Sequence, residues 1–566
     1  MAWGLPSTAS LAHFCQKLNR LKTVEESTRE MLLRRHLTTL DLTLLGVGGM
    51  VGFGLYVLTG TVAKEMAGPA VLMSFSVAAV ASLLAALCYA ELGANVPSKG
   101  SAYLFTYMSM GELWAFLVGW NVLLWCLIGG AAVACAWSGY LDTIFSYRIR
   151  SFTVAHVGTW QVPFLAQYPD FLAAGITLLT SASISYRARI SSWLNRTFSA
   201  ISLVIILFIT ILGCVLARLE NWSSEEGGFA PFGFSGIMAG AATCFYGFVG
   251  FSVIITSSEE AQNPKQAVPM AIVISVGLVA GAYILVSTVL TLMVPWHSLD
   301  PDSALADVFY QRGYSWAGVI VVAGSICGKG PFRARWEETG WWGRALSLPG
   351  NTSPSGPVFP VASSAQEAMT SVLISNLLYL PRTVYAMAAD GLFFQVFAHV
   401  HPRTQVPMVG ILVFGVLMAF LALLLDFKAL VQVLSFGALL AYTFMATSII
   451  VLRFQKASPS SSLGPVSPVG TEQVSAPEPG QLRPALRPYL SFLGGGRPGA
   501  AVPWAYGVLV ASAITLDCVL VFGDSALHLP LWGYTLLLLL SSVMFLLSLL
   551  VLGAHQQQRR QDTFQP

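Results

Sequence analysis

Charge is what this sequence has least of. Lys, Arg, Asp and Glu make up only 10% of its 566 residues, whereas soluble domains carry about a quarter. Hydrophobic residues make up 55% and the mean hydropathy is +0.68, so the chain dissolves mainly in lipid. A net charge of +3 is too small to draw in nucleic acid. Cysteine is sparse as well. All eight but Cys15 sit in apolar runs, with no CxxC or Cys/His spacing. They read as small apolar residues of helices, which leaves out a disulfide framework or a zinc centre. No nucleophile triad is present, so an enzyme is not expected, and neither is a cofactor. SICGKGP, 325–331, lacks the first glycine and the hydroxyl of a phosphate loop, since Ala323 and Gly330 stand there. His399 and His401 have no third ligand at useful spacing. Glu259 and Glu260 read as loop or capping residues.

A membrane span needs about 20 mainly apolar residues. Candidate spans are 38–62, 69–91, 113–137, 170–186, 197–217, 234–256, 268–294, an interrupted one from 315 to about 392, 407–426, 429–453, 503–523 and 530–553. The tail 1–37 carries Lys17, Arg20, Lys22, Arg29, Arg34 and Arg35 and no apolar core, so the first span is expected to act as the insertion signal. With that tail in the cytoplasm, twenty of the thirty Lys and Arg fall inside, six outside and four in an insert. This bias predicts cytoplasmic tails at 1–37 and 554–566. Residues 454–502 are Pro/Ser/Gly-rich and read as a disordered cytoplasmic linker before a final helix pair, 503–553. Of three N-x-S/T sequons, Asn221 falls in an outer loop and is the glycosylation candidate; Asn195 falls inside and Asn351 in the insert.

Against this apolar background the first span reads GVGGMVGFGLYVLTG, with six glycines in fifteen residues. Each mid-helix glycine costs up to about 1 kcal/mol relative to alanine. Close packing through Gly48-x-x-x-Gly52 is one explanation. The sixth span, GFSGIMAGAATCFYGFVGFS, is also interrupted by glycines. Paired interruptions at matching positions of two halves point to a transporter built from inverted repeats. A break at mid-membrane exposes N–H groups on one side, suited to a carboxylate, and C=O groups on the other, suited to an ammonium. One break therefore reads an amino acid zwitterion, and bare backbone survives there only where it lines a cavity.

These two motifs, with SSEEAQNPKQAVP and RTVYAMAADGLFFQVFAHVHPRTQVP, make the chain resemble the cationic amino acid transporter group of the amino acid–polyamine–organocation superfamily. The resemblance covers nearly the whole chain. It implies an all-α polytopic membrane protein with a five-plus-five inverted-repeat core over 38–453, broken first and sixth helices, and two extra C-terminal helices. It further implies a small-molecule amino acid substrate, the lipid bilayer as surroundings, no cofactor or metal, and alternating access by uniport or exchange, in a plasma membrane. Oligomeric state is not readable. Carried over by position, Gly52, Phe53 and Gly54 match the Gly-x-Gly motif whose amides meet the substrate carboxylate, and Gly48 and Gly49 just before it are counted with the substrate site. Tyr246, Gly247, Phe248, Gly250 and Ser252 match the sixth-span motif facing the same cavity. Phe245 and Phe248 are candidate aromatic gates, with plain core packing the alternative for each.

Three positions depart from that family. Phe53 replaces a small residue, Trp125 stands where the family has Glu, and Ser252 stands where it has Asp. A charge at mid-membrane needs a partner, so weak or absent uptake of Arg and Lys is expected. The alternative is a non-transporting member acting as a membrane partner or regulatory subunit with a plugged site. The Phe53 ring is expected either in the substrate space or turned to lipid. Asp517, inside the eleventh apolar run, is expected to contact a partner or water at the rim. Residues 328–367 form a polar insert between two 13-residue apolar stretches that together make one span. Either the insert loops out of a split helix or the eighth span is damaged, as from an alternative or misassigned coding segment. Mammalian relatives usually have fourteen spans, and this chain ends after about twelve, with the five-plus-five core expected intact.

Overall fold

The computed structural model describes residues 20, 37–95, 102–144, 148–159, 162, 165–186, 192–223, 227–256, 261–299, 304–312, 372–373, 376–377, 379–399, 407–454, 501–522 and 531–554. The described chain is helical apart from two isolated bridges, Leu37 with Ala261 and Leu165 with Leu425.

The main helices are α1 Thr39–Met50, α2 Val71–Asn95, α3 Ala102–Ser109, α4 Glu112–Ile144, α5 Arg148–Val157, α6 Phe171–Tyr186, α7 Ser192–Leu216, α8 Gly233–Phe245, α9 Ser252–Thr256, α10 Pro264–Met293, α11 Ala304–Gln311, α12 Met408–Leu424, α13 Phe427–Phe454, α14 Ala501–Phe522 and α15 Leu531–Ala554. Apart from α3, α5 and α11, these helices lie on the apolar runs of the sequence. Among the described residues six helical stretches are long and apolar enough to cross a membrane, and shorter apolar helices accompany them. Exposed Leu, Val and Phe side chains line the outer faces of α2, α7, α10, α12 and α15. That is the signature of helices solvated by lipid, for which burying apolar side chains away from water is no constraint.

Local chemistry fixes where these helices start. Thr38 and Asp41 form a reciprocal capping box at α1, with Asp41 N–H donating to Thr38 Oγ1 (3.3 Å) and Thr38 N–H to Asp41 Oδ2 (3.1 Å). Asp170 caps α6, accepting from Ala173 N–H at 2.9 Å. Pro264 opens α10, where its missing N–H costs nothing. Gly68, at φ 61°, ends the first span and turns the chain into α2.

The chain divides into two compact units. In the unit built on Met1–Met445, α2 packs on α8 and α10, and α10 packs on α1 and α7. Also in that unit, α4, α6 and α12 pack on one another. The unit Ala446–Thr563 contains α14 packed along α15, with Phe454 and Leu509 against Ala505 and Leu552. The insert 328–367 and almost all of the linker 454–502 lie outside the described residues, as does the Asp517 side chain.

Candidate functional site: two interrupted helices

The first interrupted segment stops being α-helical at Met50. Val51 N–H still bonds to Val47 C=O (2.9 Å), but Gly52 N–H folds back onto Met50 C=O (3.0 Å). Beyond this turn the backbone resumes as a π-helix over Gly54–Leu58, one α turn over Thr59–Val62, and a second π stretch over Ala63–Ala67. Insertions of π geometry are rare and cluster at functional positions. The second segment behaves differently. α8 tightens into a 3₁₀ helix over Tyr246–Phe251 and returns to α-helix at Ser252. It changes pitch rather than unwinding, which differs from the broken sixth helix expected from its glycines. Tightening keeps every amide within reach of a backbone carbonyl, which a gap in lipid would not.

Glycine lets the two segments touch at two levels. A Cβ on Gly250 would lie 2.3 Å from Gly49 C and O and 2.6 Å from Met50 N. A Cβ on Gly54 would lie 2.2 Å from the Tyr283 hydroxyl and 2.9 Å from Gly247 Cα. Such distances are sterically impossible, so these are backbone-to-backbone crossings. The carbonyls exposed at the crossing are occupied by tyrosines of neighbouring helices. Tyr283 of α10 places its hydroxyl 2.6 Å from Met50 O and 3.0 Å from Gly247 O, bracing both segments at once. Tyr140 of α4 donates to Tyr56 O at 2.6 Å. Thr59 donates to Leu55 O at 2.8 Å.

Side chains converge on the same place. Phe53 is buried, so its ring faces inward and not toward lipid. It meets Tyr246 edge-on at 5.8 Å and Phe427 at 6.4 Å. Trp125 of α4 meets Tyr246 from another direction at 6.1 Å. The predicted residues Phe53, Trp125 and Tyr246 therefore form one aromatic cluster. Phe245 and Phe248 turn elsewhere: Phe245 packs on Tyr442 (5.4 Å) and Phe248 on Tyr283 (5.1 Å). Ser252 interacts with Tyr442 rather than with the Phe53 cluster. Gly48, like Gly49, lies partly buried on α1, but the contact with Gly250 runs through Gly49.

Several residues here were not singled out from sequence. Tyr283 sits in GAY, the only tyrosine of α10, preceded by Gly281 and Ala282; a lone phenol in a mainly apolar helix is the one signal that could have pointed to it. Asn376 and Tyr442 lie in apolar runs that periodicity alone reads as core. Glu91 is also buried (3% exposed) on α2, two positions from Tyr89.

At the ends of the bundle, polar contacts join distant parts of the chain. Tyr103 donates to Asp390 Oδ2 at 2.9 Å, and Gln262 N–H donates to Leu37 C=O at 3.0 Å. At the other end Asp170 accepts from Ser138 (2.7 Å), and Asp142 accepts from Ile149 and Arg150 N–H. Burial pushes the Asp170 carboxyl up to about 6, and nearby Asp142 adds to the effect while the hydrogen bonds oppose it. Lys428 pairs with Glu65 at the end of the first segment. The Asn221 Nδ2, the atom a glycan would occupy, donates to Leu292 C=O at 2.7 Å. Among the described residues no group of three His, Cys, Asp or Glu side chains is placed to hold a metal.

A family model described as "Amino acid permease" matches residues 37–330 and 368–475. It passes over 331–367, most of the polar insert. The mouse protein described as cationic amino acid transporter 4 is 70% identical over 581 aligned residues, covering 100% of this chain and 85% of that one. The human protein of the same description is 69% identical over the same shares. An Arabidopsis thaliana protein, cationic amino acid transporter 4, vacuolar, is 33% identical over 75% of this chain and 64% of its own length.

Proposed function

The chain belongs to the amino acid permease family, and we propose that it carries its amino acid between the two interrupted helices by alternating access, as a uniporter or exchanger. The observation that carries this reading is the double glycine crossing, Gly49 with Gly250 and Gly54 with Gly247, beside the cluster of Phe53, Trp125 and Tyr246. Backbone peptide groups there offer donors to one charge of a zwitterion and acceptors to the other without a buried side-chain ion.

On this reading the substrate carboxylate takes the amides of Gly52 to Gly54. The Gly52 N–H must first leave Met50 C=O, and Phe53 must swing aside. The ammonium takes carbonyls of the Tyr246–Gly250 turn. The five-plus-five arrangement, a plasma-membrane location and cytoplasmic termini belong to the same proposal, the last two on the distribution of Lys and Arg. The relatives' names indicate transport of cationic amino acids, which favours transport over the plugged, non-transporting alternative. The absence of acid at Trp125 and Ser252 still leads to weak arginine and lysine uptake. Counterflow of labelled amino acids into proteoliposomes holding the full chain tests the proposal. Saturable counterflow of at least one amino acid is expected; none, from folded protein, would overturn it.

A further inference from the structure

Six buried side-chain nitrogens and oxygens among the described residues have no hydrogen-bond partner, and two of them surround Tyr246. One is Trp125 Nε1. Its indole lies edge-on to the Tyr246 ring, and Gly437 holds it from behind, a Cβ there falling 2.7 Å from Trp125 Cβ. The other is Asn376 Nδ2. Asn376 is 9% exposed and shares a side-chain hydrogen bond with the Tyr246 phenol, yet its Nδ2 is left without a partner. The Tyr246 hydroxyl in turn rests against Gly129, one turn along α4 from Trp125, where a Cβ would be 3.0 Å away.

Both orphaned groups are donors. Leaving a buried donor unmade is unfavourable, and native structures rarely tolerate it without a function. Two such donors from separate parts of the chain, meeting around one phenol, ask for an acceptor supplied from outside. The residues named around Tyr246, which are Phe53, Trp125, Gly129 and Asn376, are all uncharged. No cation there would neutralise a carboxylate side chain, and no anion would balance an ammonium or guanidinium.

We propose that Trp125 and Asn376 read the side chain of the transported amino acid, and that this side chain is neutral and ends in a carbonyl oxygen, as in glutamine and asparagine. The Trp125 and Asn376 N–H groups donate to that oxygen, and the aromatic walls hold its methylene stem. This rests on the transport site proposed above. It assigns Trp125, where the related carriers have a carboxylate, a reversed polarity: a donor in place of an acceptor.

The test uses the full chain in proteoliposomes, with counterflow of labelled glutamine, glutamate, leucine and arginine at equal concentration, and thermal unfolding of the detergent-solubilised chain with each amino acid. Glutamine is expected to exceed leucine and arginine. In Trp125→Phe and in Asn376→Leu the glutamine-to-leucine ratio should fall about three- to tenfold, the loss of one neutral hydrogen bond. Preference for arginine or glutamate would overturn the assignment. So would a glutamine-to-leucine ratio unchanged in both variants. Leucine counterflow without glutamine preference sinks this inference alone. If no amino acid is exchanged and none shifts the unfolding temperature, the transport reading falls with it.

Discussion

The two interrupted segments solve one problem in opposite ways. The first opens: its ladder fails at Gly52 and resumes in the wider π geometry. The second tightens, running through a 3₁₀ stretch before returning to α-helix at Ser252. Each crosses the other at glycines, yet the surplus carbonyls are claimed by tyrosines from outside, Tyr283 for both segments and Tyr140 for the first. A break in lipid therefore survives only with hydroxyl braces from neighbouring helices. On the proposed transport reading, the opened segment supplies amides that rearrange around the substrate, while the tightened one serves as the firmer wall.

The two crossings can be broken separately. Gly250→Ala should have the largest effect, because its Cβ would strike only backbone of the opposite segment, within 2.3 to 2.6 Å. Counterflow normalised to folded protein should fall more than about tenfold, a loss in the class of severe core overpacking. Gly247→Ala meets its nearest atoms at 3.3 Å and should lose far less. Equal loss in both would break the proposed difference between the levels.

Next in size is reversal of the three departures from the family. Phe53→Ser, Trp125→Glu and Ser252→Asp in one chain should raise arginine uptake at least about tenfold by supplying anionic partners to a buried cation. No gain from well-folded protein would show that the site is not limited by missing acids.

Tyr283→Phe sharpens the comparison, since it removes the shared brace and keeps the ring that packs on Phe248 and Phe75. The buried carbonyls of Met50 and Gly247 then lose the one proton they share. Stability should drop by about 1–3 kcal/mol, read as a lower unfolding temperature. The same change at Tyr140 affects one carbonyl only and should cost less.

The smallest effect lies away from both segments. The Asp170 carboxyl, pushed up to about 6 by burial, is a raised acid, so its neutral form suits the fold better. The stability it contributes is present below the ordinary carboxylate value and is lost as pH rises through about 6. The unfolding temperature should therefore climb modestly from pH 7 to pH 5. Asp170→Asn, which keeps an acceptor for Ala173 N–H and Ser138, should flatten that climb. An unchanged slope would remove Asp170 as its source.

Much of this was legible in the sequence, for definite reasons. Apolar runs of span length located the long helices, such as α2, α10 and α15, because lipid permits few alternatives to a helix of that length, whereas the short α3, α5 and α11 fall outside every such run. The glycines of GVGGMVGFG and CFYGFVGF marked where the two segments cross, because only glycine permits backbone contact. They did not reveal how the backbone recovers there. A glycine marks a weak point in the ladder but carries no information on whether the chain opens, as at Gly52, or tightens, as at Tyr246. The brace at Tyr283 was hidden because its partner carbonyl lies 233 positions away. Asn376 was hidden because an amide within an apolar run looks the same whether satisfied or orphaned. The sequence left two directions open for the Phe53 ring, and only packing against Tyr246 and Phe427 decides for the interior.

The most direct test is a density map of the full chain with saturating amino acid. Predicted is density for a zwitterion between the segments, its carboxylate within hydrogen-bond distance of the amides at 52–54 and Phe53 displaced from Tyr246. Density at another place, with the Gly52–Met50 turn and the Phe53–Tyr246 contact unchanged, would contradict the account.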